Sequence, residues 1–364
     1  MKKNYFLLVV ILFPFVNSFS QTNINVVFHV VYNTTAQNIP DSCLQQQLDV
    51  LNEDFNAANA DIWKVPTAWQ PIIGNMNVHF QLATIDPLGN STTGIERRQY
   101  PTISWTTNDN VKHFAIGGLD AWPDTSYLNI WICNLASGLL CYAQLPGGPA
   151  ATDGVVIHYQ VTGRGTYTIS PYNLGRAGTH GVGHYYGLMN YAGDPNCSID
   201  QDNIPDTPNY SSTSIYGGFN PFQVVTDACN PTAPGVMWMN FMTFVDDSSM
   251  YFFTQDQVDT MTWVMLNMRL GSSSGNSIAT YSETHLMDIF PSPSPNGIFT
   301  VKHLNSEKVV VHIYNLLNSE VATRTFSEGE TNSILDLSCM ASGIYSVVLM
   351  NGEKVETKKI CIAR

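Results

Sequence analysis

The chain has 364 residues, with 16 lysines and arginines against 29 aspartates and glutamates, a formal charge of −13. Hydrophobic residues make up 44% and charged residues 12%, which excludes a disordered chain. The acidic balance excludes broad nucleic-acid binding, and the length calls for roughly two to three domains.

Met1-Lys2-Lys3 precedes an almost wholly apolar run from Tyr5 to Val16, and Asn17 to Gln21 then brings small and polar residues. These are the parts of a secretory signal, predicted over 1–21. No other stretch reaches the ~20 apolar residues that span a bilayer, so no transmembrane segment is expected in the mature protein. Export makes disulfides permissible for the seven cysteines, an odd number that leaves one without a partner in the chain.

Ile24 to Tyr32 is β-branched and reads as a buried strand. Leu44, Leu48, Leu51 and Phe55 follow at helical spacing, predicting a helix over 41–56 capped by Asp41 or Ser42. Val78 to Ile85, Tyr127 to Cys133 and Gly154 to Tyr159 read as further strands, giving an α+β domain. His29, His79, His113 and His158 fall on these strands and loops and read as packed or surface histidines. Cys133 and Cys141 either close a local loop or stay free.

The segment from Asn173 to Asn190 carries the chemistry. His180 and His184 lie four apart, so on a helix their imidazoles share one face and converge. Zinc hydrolases use this spacing because one helical turn sets two nitrogens at coordinating distance. Gly187 follows at a position where a sharp turn ends such a helix. Beyond it, 271–277 is Gly- and Ser-rich and reads as part of a linker over 271–284. Short alternating runs at 298–301, 309–314, 344–349 and 359–362, separated by turn residues, then predict a small all-β sandwich.

The stretches VVFHVVY, YLNIWICNL, LLCYAQLPGGPAATDGVVIHY, NLGRAGTHGVGHYYGL, DNIPDTP and NFMTFVDDSSMYFFTQDQ together resemble the pappalysin-like (cytophagalysin/ulilysin type) zinc metalloproteases across 22–270. The resemblance implies a metzincin-type zincin domain. It places two zinc ligands at His180 and His184, the third-ligand position at Asn190, the general-base position at Gly181 and the Met-turn at Met242. It sets Phe244 where relatives often carry Tyr, and it pairs Cys197 with Cys229, Ser249 standing where a further cysteine would be. The odd thiol then lies among Cys43, Cys133 and Cys141. Asp202, Asp206 and Thr207 resemble the family's calcium loop, with an ordinary Asx-rich turn as the competing reading. Asp194 matches an acidic position that reads as structural rather than as a substitute ligand.

Two departures decide the expected function. A general acid–base carboxylate contributes typically 10²–10⁴-fold, and Gly181 has no side chain to supply it. Asn190 offers only a neutral amide oxygen in place of an imidazole. The expectation is therefore an inactive or strongly impaired pseudoprotease that binds a peptide or protein ligand, with weak or absent zinc. The alternative is an active zinc endopeptidase using His180, His184 and a substitute ligand.

From 285 to 364 the order of FPSP, NGIF, VHIYNLL, LDLS, ASGIY and a final KKI resembles the type A C-terminal sorting domain of Bacteroidetes type IX secretion. It implies an immunoglobulin-like sandwich read by that machinery and a destination at the cell surface or in the medium. The tail carries 7 basic and 8 acidic residues, whereas 22–284 carries 7 and 21, so the acidity belongs to the protease-like part.

Overall fold

The β-branched run that follows the expected leader forms β1 (Thr22–Tyr32), the centre of a sheet. Its first half pairs in parallel with β2 (Val78–Leu82), its second half with β3 (Ile95–Gln99), and its other edge with β4 (Leu128–Cys133). Outside β4 lie β5 (Cys141–Ala143) and β6 (Val155–His158): β6 pairs parallel to β4, and β5 runs antiparallel to β6 at the free edge.

The computed structural model describes residues 21–136, 138–191, 197, 202–211 and 215–269, and, towards the C-terminus, 287–291, 294–303, 309–314, 320–326, 332–341, 343–351 and 354–362. The expected leader up to Ser20, the linker 271–284 and Asp194 lie outside these residues. The chain divides into two compact units, Met1–Gly275 and Asn276–Arg364.

Side chains alternate across β1. Val26, Phe28 and Val30 face one core, while Val31 and Trp131 face another on the opposite side of the sheet. The first core takes α1 (Asp41–Phe55), whose Leu44, Leu48, Leu51 and Phe55 are all buried. Each such side chain contributes about 1.5–3 kcal/mol on leaving water. Neither expected residue caps α1: the helix starts after Pro40, and Asp41 is paired with Arg97 at 2.5 Å instead. The same core receives α2 (Arg176–Tyr185), and α3 (Gln255–Val264) starts from a Thr254 cap whose hydroxyl accepts the Gln257 N–H. Between α2 and α3, the two-residue strands β7 (Tyr216–Gly217) and β8 (Phe244–Val245) pair in parallel.

In the second unit, β9 (Met287–Phe290), β10 (Ile298–His303) and β13 (Asn332–Asp336) form one antiparallel sheet. β11 (Val309–Tyr314), β12 (Glu320–Phe326), β14 (Gly343–Asn351) and β15 (Lys354–Ile362) form the other. Phe299, Val301 and Leu335 from the first meet Val311, Ile313, Val347 and Ile360 from the second in one core, a small all-β sandwich. Among the described residues no helix is long and apolar enough to cross a membrane.

Candidate functional site

α2 is an unusual helix by composition, with glycines at 178, 181 and 183 in ten residues. Intrinsic propensity opposes that content, so tertiary contacts hold the helix in place. Gln47, fully buried on α1, donates to Gly175 O at 2.9 Å and accepts the Gly163 N–H at 2.9 Å, fixing the entry to α2. Arg176 at the first turn lies buried with its guanidinium forked onto Asp61 at 2.6 and 2.8 Å and onto Asp247 O at 2.9 Å. Asp247 Oδ2 accepts from the backbone N–H groups of Leu174 and Arg176, the favourable place for a carboxylate at a helix start.

Asp54, on α1, accepts from Thr179 Oγ1 at 2.7 Å, one residue before His180. Burial pushes both Asp54 and Asp247 up to about 6, against the pull of Arg176. This anchoring set was not singled out from the sequence. The available signal was Arg176 itself, one of seven cations in a strongly acidic stretch, placed immediately before the histidines.

His180 and His184 converge as their spacing predicts. Their Nε2 atoms lie 3.0 Å apart, and Asn190 Oδ1 comes within 3.1 Å of His180 Nε2. His180 Nδ1 faces Phe241 O at 2.8 Å, and His184 Nδ1 faces Leu188 O at 2.7 Å. Carbonyls only accept, so both Nδ1 atoms carry the hydrogen and both Nε2 lone pairs point into the cleft. Burial, reinforced by His184, holds the His180 imidazole down to about 4, and burial lowers His184 as well. Two neutral imidazole nitrogens and one amide oxygen therefore share a focus, and this donor set fits a divalent cation. Among the described residues no group of three or more His, Cys, Asp or Glu gathers for a metal, and the oxygen that meets the Nε2 side of the imidazoles is that of Asn190.

Gly187 adopts φ +93°, the left-handed turn that ends α2 and brings Leu188 and Asn190 back under the histidines. Met242 lies fully buried beneath the helix, and a Cβ added at Gly183 would fall 2.6 Å from its sulfur. Phe244 stands beside His180 with ring centroids 6.0 Å apart. The cleft around these groups measures about 540 Å³, with Cys141, Tyr172, Met189, Tyr216 and Asp247 among its walls.

Asp202 and Thr207 come together, the Thr207 hydroxyl donating to the Asp202 carboxylate at 2.9 and 3.0 Å. Asp206 turns instead to the first turn of α3, accepting the Asp256 N–H at 3.0 Å, and its other oxygen is buried without a hydrogen-bond partner. Cys197 and Cys229 are disulfide-bonded. Cys43, Cys133 and Cys141 are all free, so the expectation of a single odd thiol among them is too low. Cys133 and Cys141 flank opposite edges of β6 and pack on opposite faces of the sheet, which prevents a bridge. His29, on β1, is fully buried between Glu96 at 2.8 Å and Asn129 at 2.9 Å.

Comparison with known proteins agrees with this architecture. The family model described as peptidase M43, pregnancy-associated plasma protein-A, matches residues 106–266, and the secretion system C-terminal sorting domain matches 288–363. Mature mirolysin from Tannerella forsythia, solved in complex with a cleaved peptide, is 44% identical with a TM-score of 0.65, covering 69% of this chain and 94% of its own. Mirolysin in complex with compound 9 is 46% identical with a TM-score of 0.64, covering 68% and 92%. An extracellular metalloprotease of Arthroderma gypseum is 28% identical over 268 residues, 71% of this chain and 77% of the relative. The sorting domain marks a secreted protein addressed to a secretion machinery. With a 44%-identical relative matched over nearly its whole length, the chain belongs to the peptidase M43, pregnancy-associated plasma protein-A, family.

Proposed function

We propose that this protein is a secreted M43-family pseudoprotease, one that binds an extended peptide in its cleft and hydrolyses it weakly or not at all. In this reading 1–21 is the leader, 22–270 the protease-like domain, 271–284 a linker and 285–364 the sorting domain. The observation that carries it is Gly181. It sits next to His180 on the helix that aims two imidazoles into the cleft, and it has no carboxylate to take or return a proton.

His180 and His184 would hold zinc, with the Asn190 amide oxygen as third donor; bound zinc would supply Lewis acidity to a ligand carbonyl. The protein's own groups account for binding. Among the described residues the outer edge of β5 is unpaired in the sheet, and it offers backbone groups to an added strand.

The test is metal analysis of the purified protein beside a peptide-library cleavage assay and a binding assay with the same peptides. The expected result is saturable binding without turnover. Stoichiometric zinc with chelator-sensitive cleavage would overturn the proposal in favour of an active endopeptidase.

A further inference from the structure

The glycines of α2 are held against their propensity, and their surroundings differ in a way that bears on the missing carboxylate. A Cβ at Gly178 would meet the Gln47 amide at 2.3 Å, and one at Gly183 would meet the Met242 sulfur at 2.6 Å. Both neighbours are the ends of long, buried side chains, and Gln47 is held by its hydrogen bonds to Gly175 O and the Gly163 N–H. At Gly181 the neighbour is Val155 Cγ1 at 2.7 Å, with Cys141 Sγ at 3.5 Å and Cys141 Cβ at 3.6 Å behind it.

Val155 is held by its shape and its place in the sheet. It is β-branched, with restricted χ1, fully buried, and registered between Ile130 of β4 and Ala143 of β5. Cys141 lies at ordinary contact distance from the same Cβ. It stands on β5 opposite Ile157, on the same side of the sheet as Val155 and α2.

We propose that Val155, with Cys141 beside it in the cleft wall, forms a steric lock on position 181, so that the general-base position has no room for a side chain unless Val155 shifts and is not refilled by one substitution. This rests on the pseudoprotease reading and deepens it. The helix–sheet contact is built for a residue-181 glycine, with Val155 overlapping the place of a Cβ and Cys141 in contact beside it.

The test is a pair of double-mutant cycles read by thermal unfolding of the full chain. Alanine normally raises the stability of a helix interior when it replaces glycine. Here Gly181→Ala is expected to lower the melting temperature by about 3–8 °C, the scale of core overpacking. In a Val155→Ala background the same substitution is expected to be neutral or stabilising. Gly181→Glu should lose more than Gly181→Ala, and Cys141→Ala should restore more of the loss for Glu than for Ala, because a Cβ only touches the sulfur whereas a longer side chain has to find room beside it.

A Gly181→Ala variant that melts above wild type overturns the lock, as does strict additivity between 181 and both 155 and 141. Peptide cleavage by the wild-type protein would remove the functional reading alone, since the unfolding cycles do not depend on it.

Discussion

The Nε2 atoms of His180 and His184 face each other at 3.0 Å, and neither carries a hydrogen, because each Nδ1–H is donated to a main-chain carbonyl. Two lone pairs at that separation do not make a hydrogen bond; in the proposed reading both turn to one cation. Asn190 completes the arrangement. Its amide oxygen can join the two nitrogens on a cation, and its NH₂ can donate to His180 when no cation is bound.

Metal affinity should therefore follow residue 190. Asn190→Ala is expected to weaken zinc binding by about tenfold or more, and Asn190→His to strengthen it by at least that factor, as changes in metal-site partners typically do. His180→Ala should abolish it. Competition against a chromophoric chelator reads all three, and equal affinity in wild type and Asn190→Ala would show that the amide takes no part.

Stability should fall with rising pH through the range set by Asp54. Its folded pKa of about 6 lies above the ordinary value of 3.8, so the folded state holds the proton longer than the unfolded chain. The stability gained this way is complete below pH 3.8 and is lost as pH rises through 6. Asp54→Asn lacks this titration. Urea unfolding of both proteins from pH 4 to 7 should show the variant gaining on wild type as pH rises; a constant gap would contradict the buried-carboxylate account.

Much of this site is legible one residue at a time. The four-residue histidine spacing, the glycine at 181 and the strand patterns of β1 and β4 all lie in local sequence. Asn190 as the third donor becomes visible only against a family pattern, since Gly187 must first reverse the chain. What stays hidden is contact between strands and helices far apart in sequence. Val155 against Gly181 depends on how closely α2 approaches β6, and no local periodicity encodes that distance. The opposite faces of Cys133 and Cys141 likewise depend on β6 inserting between their strands. β5, at three residues, is too short to carry an alternation.

The Cys197–Cys229 bridge closes a segment with a sequence separation of 32. Loop-closure entropy for that length corresponds to about 3–4 kcal/mol. A Cys197→Ser/Cys229→Ser variant should lose stability on that scale in denaturant titration, while Cys43→Ser, which breaks no bridge, should lose less. Equal losses would indicate that the bridge adds little beyond packing.

Arg176 is the cation on which the histidine helix rests, and its removal should cost more at neutral pH than in mild acid. It lies buried among Asp61, Asp54 and Asp247, and truncating one partner of a buried ion pair costs about 3–5 kcal/mol because the other charges remain. Arg176→Met keeps the apolar stem and leaves the carboxylates unpaired. At pH 5, Asp54 and Asp247, both at about 6, are already largely protonated, so less uncompensated charge remains. Arg176→Lys should recover only part of the loss, since one ammonium cannot fork onto Asp61 and reach Asp247 O together. Chemical unfolding at pH 5 and pH 7.5 decides it: a penalty for Arg176→Met that is the same at both would show that packing, not charge, anchors α2.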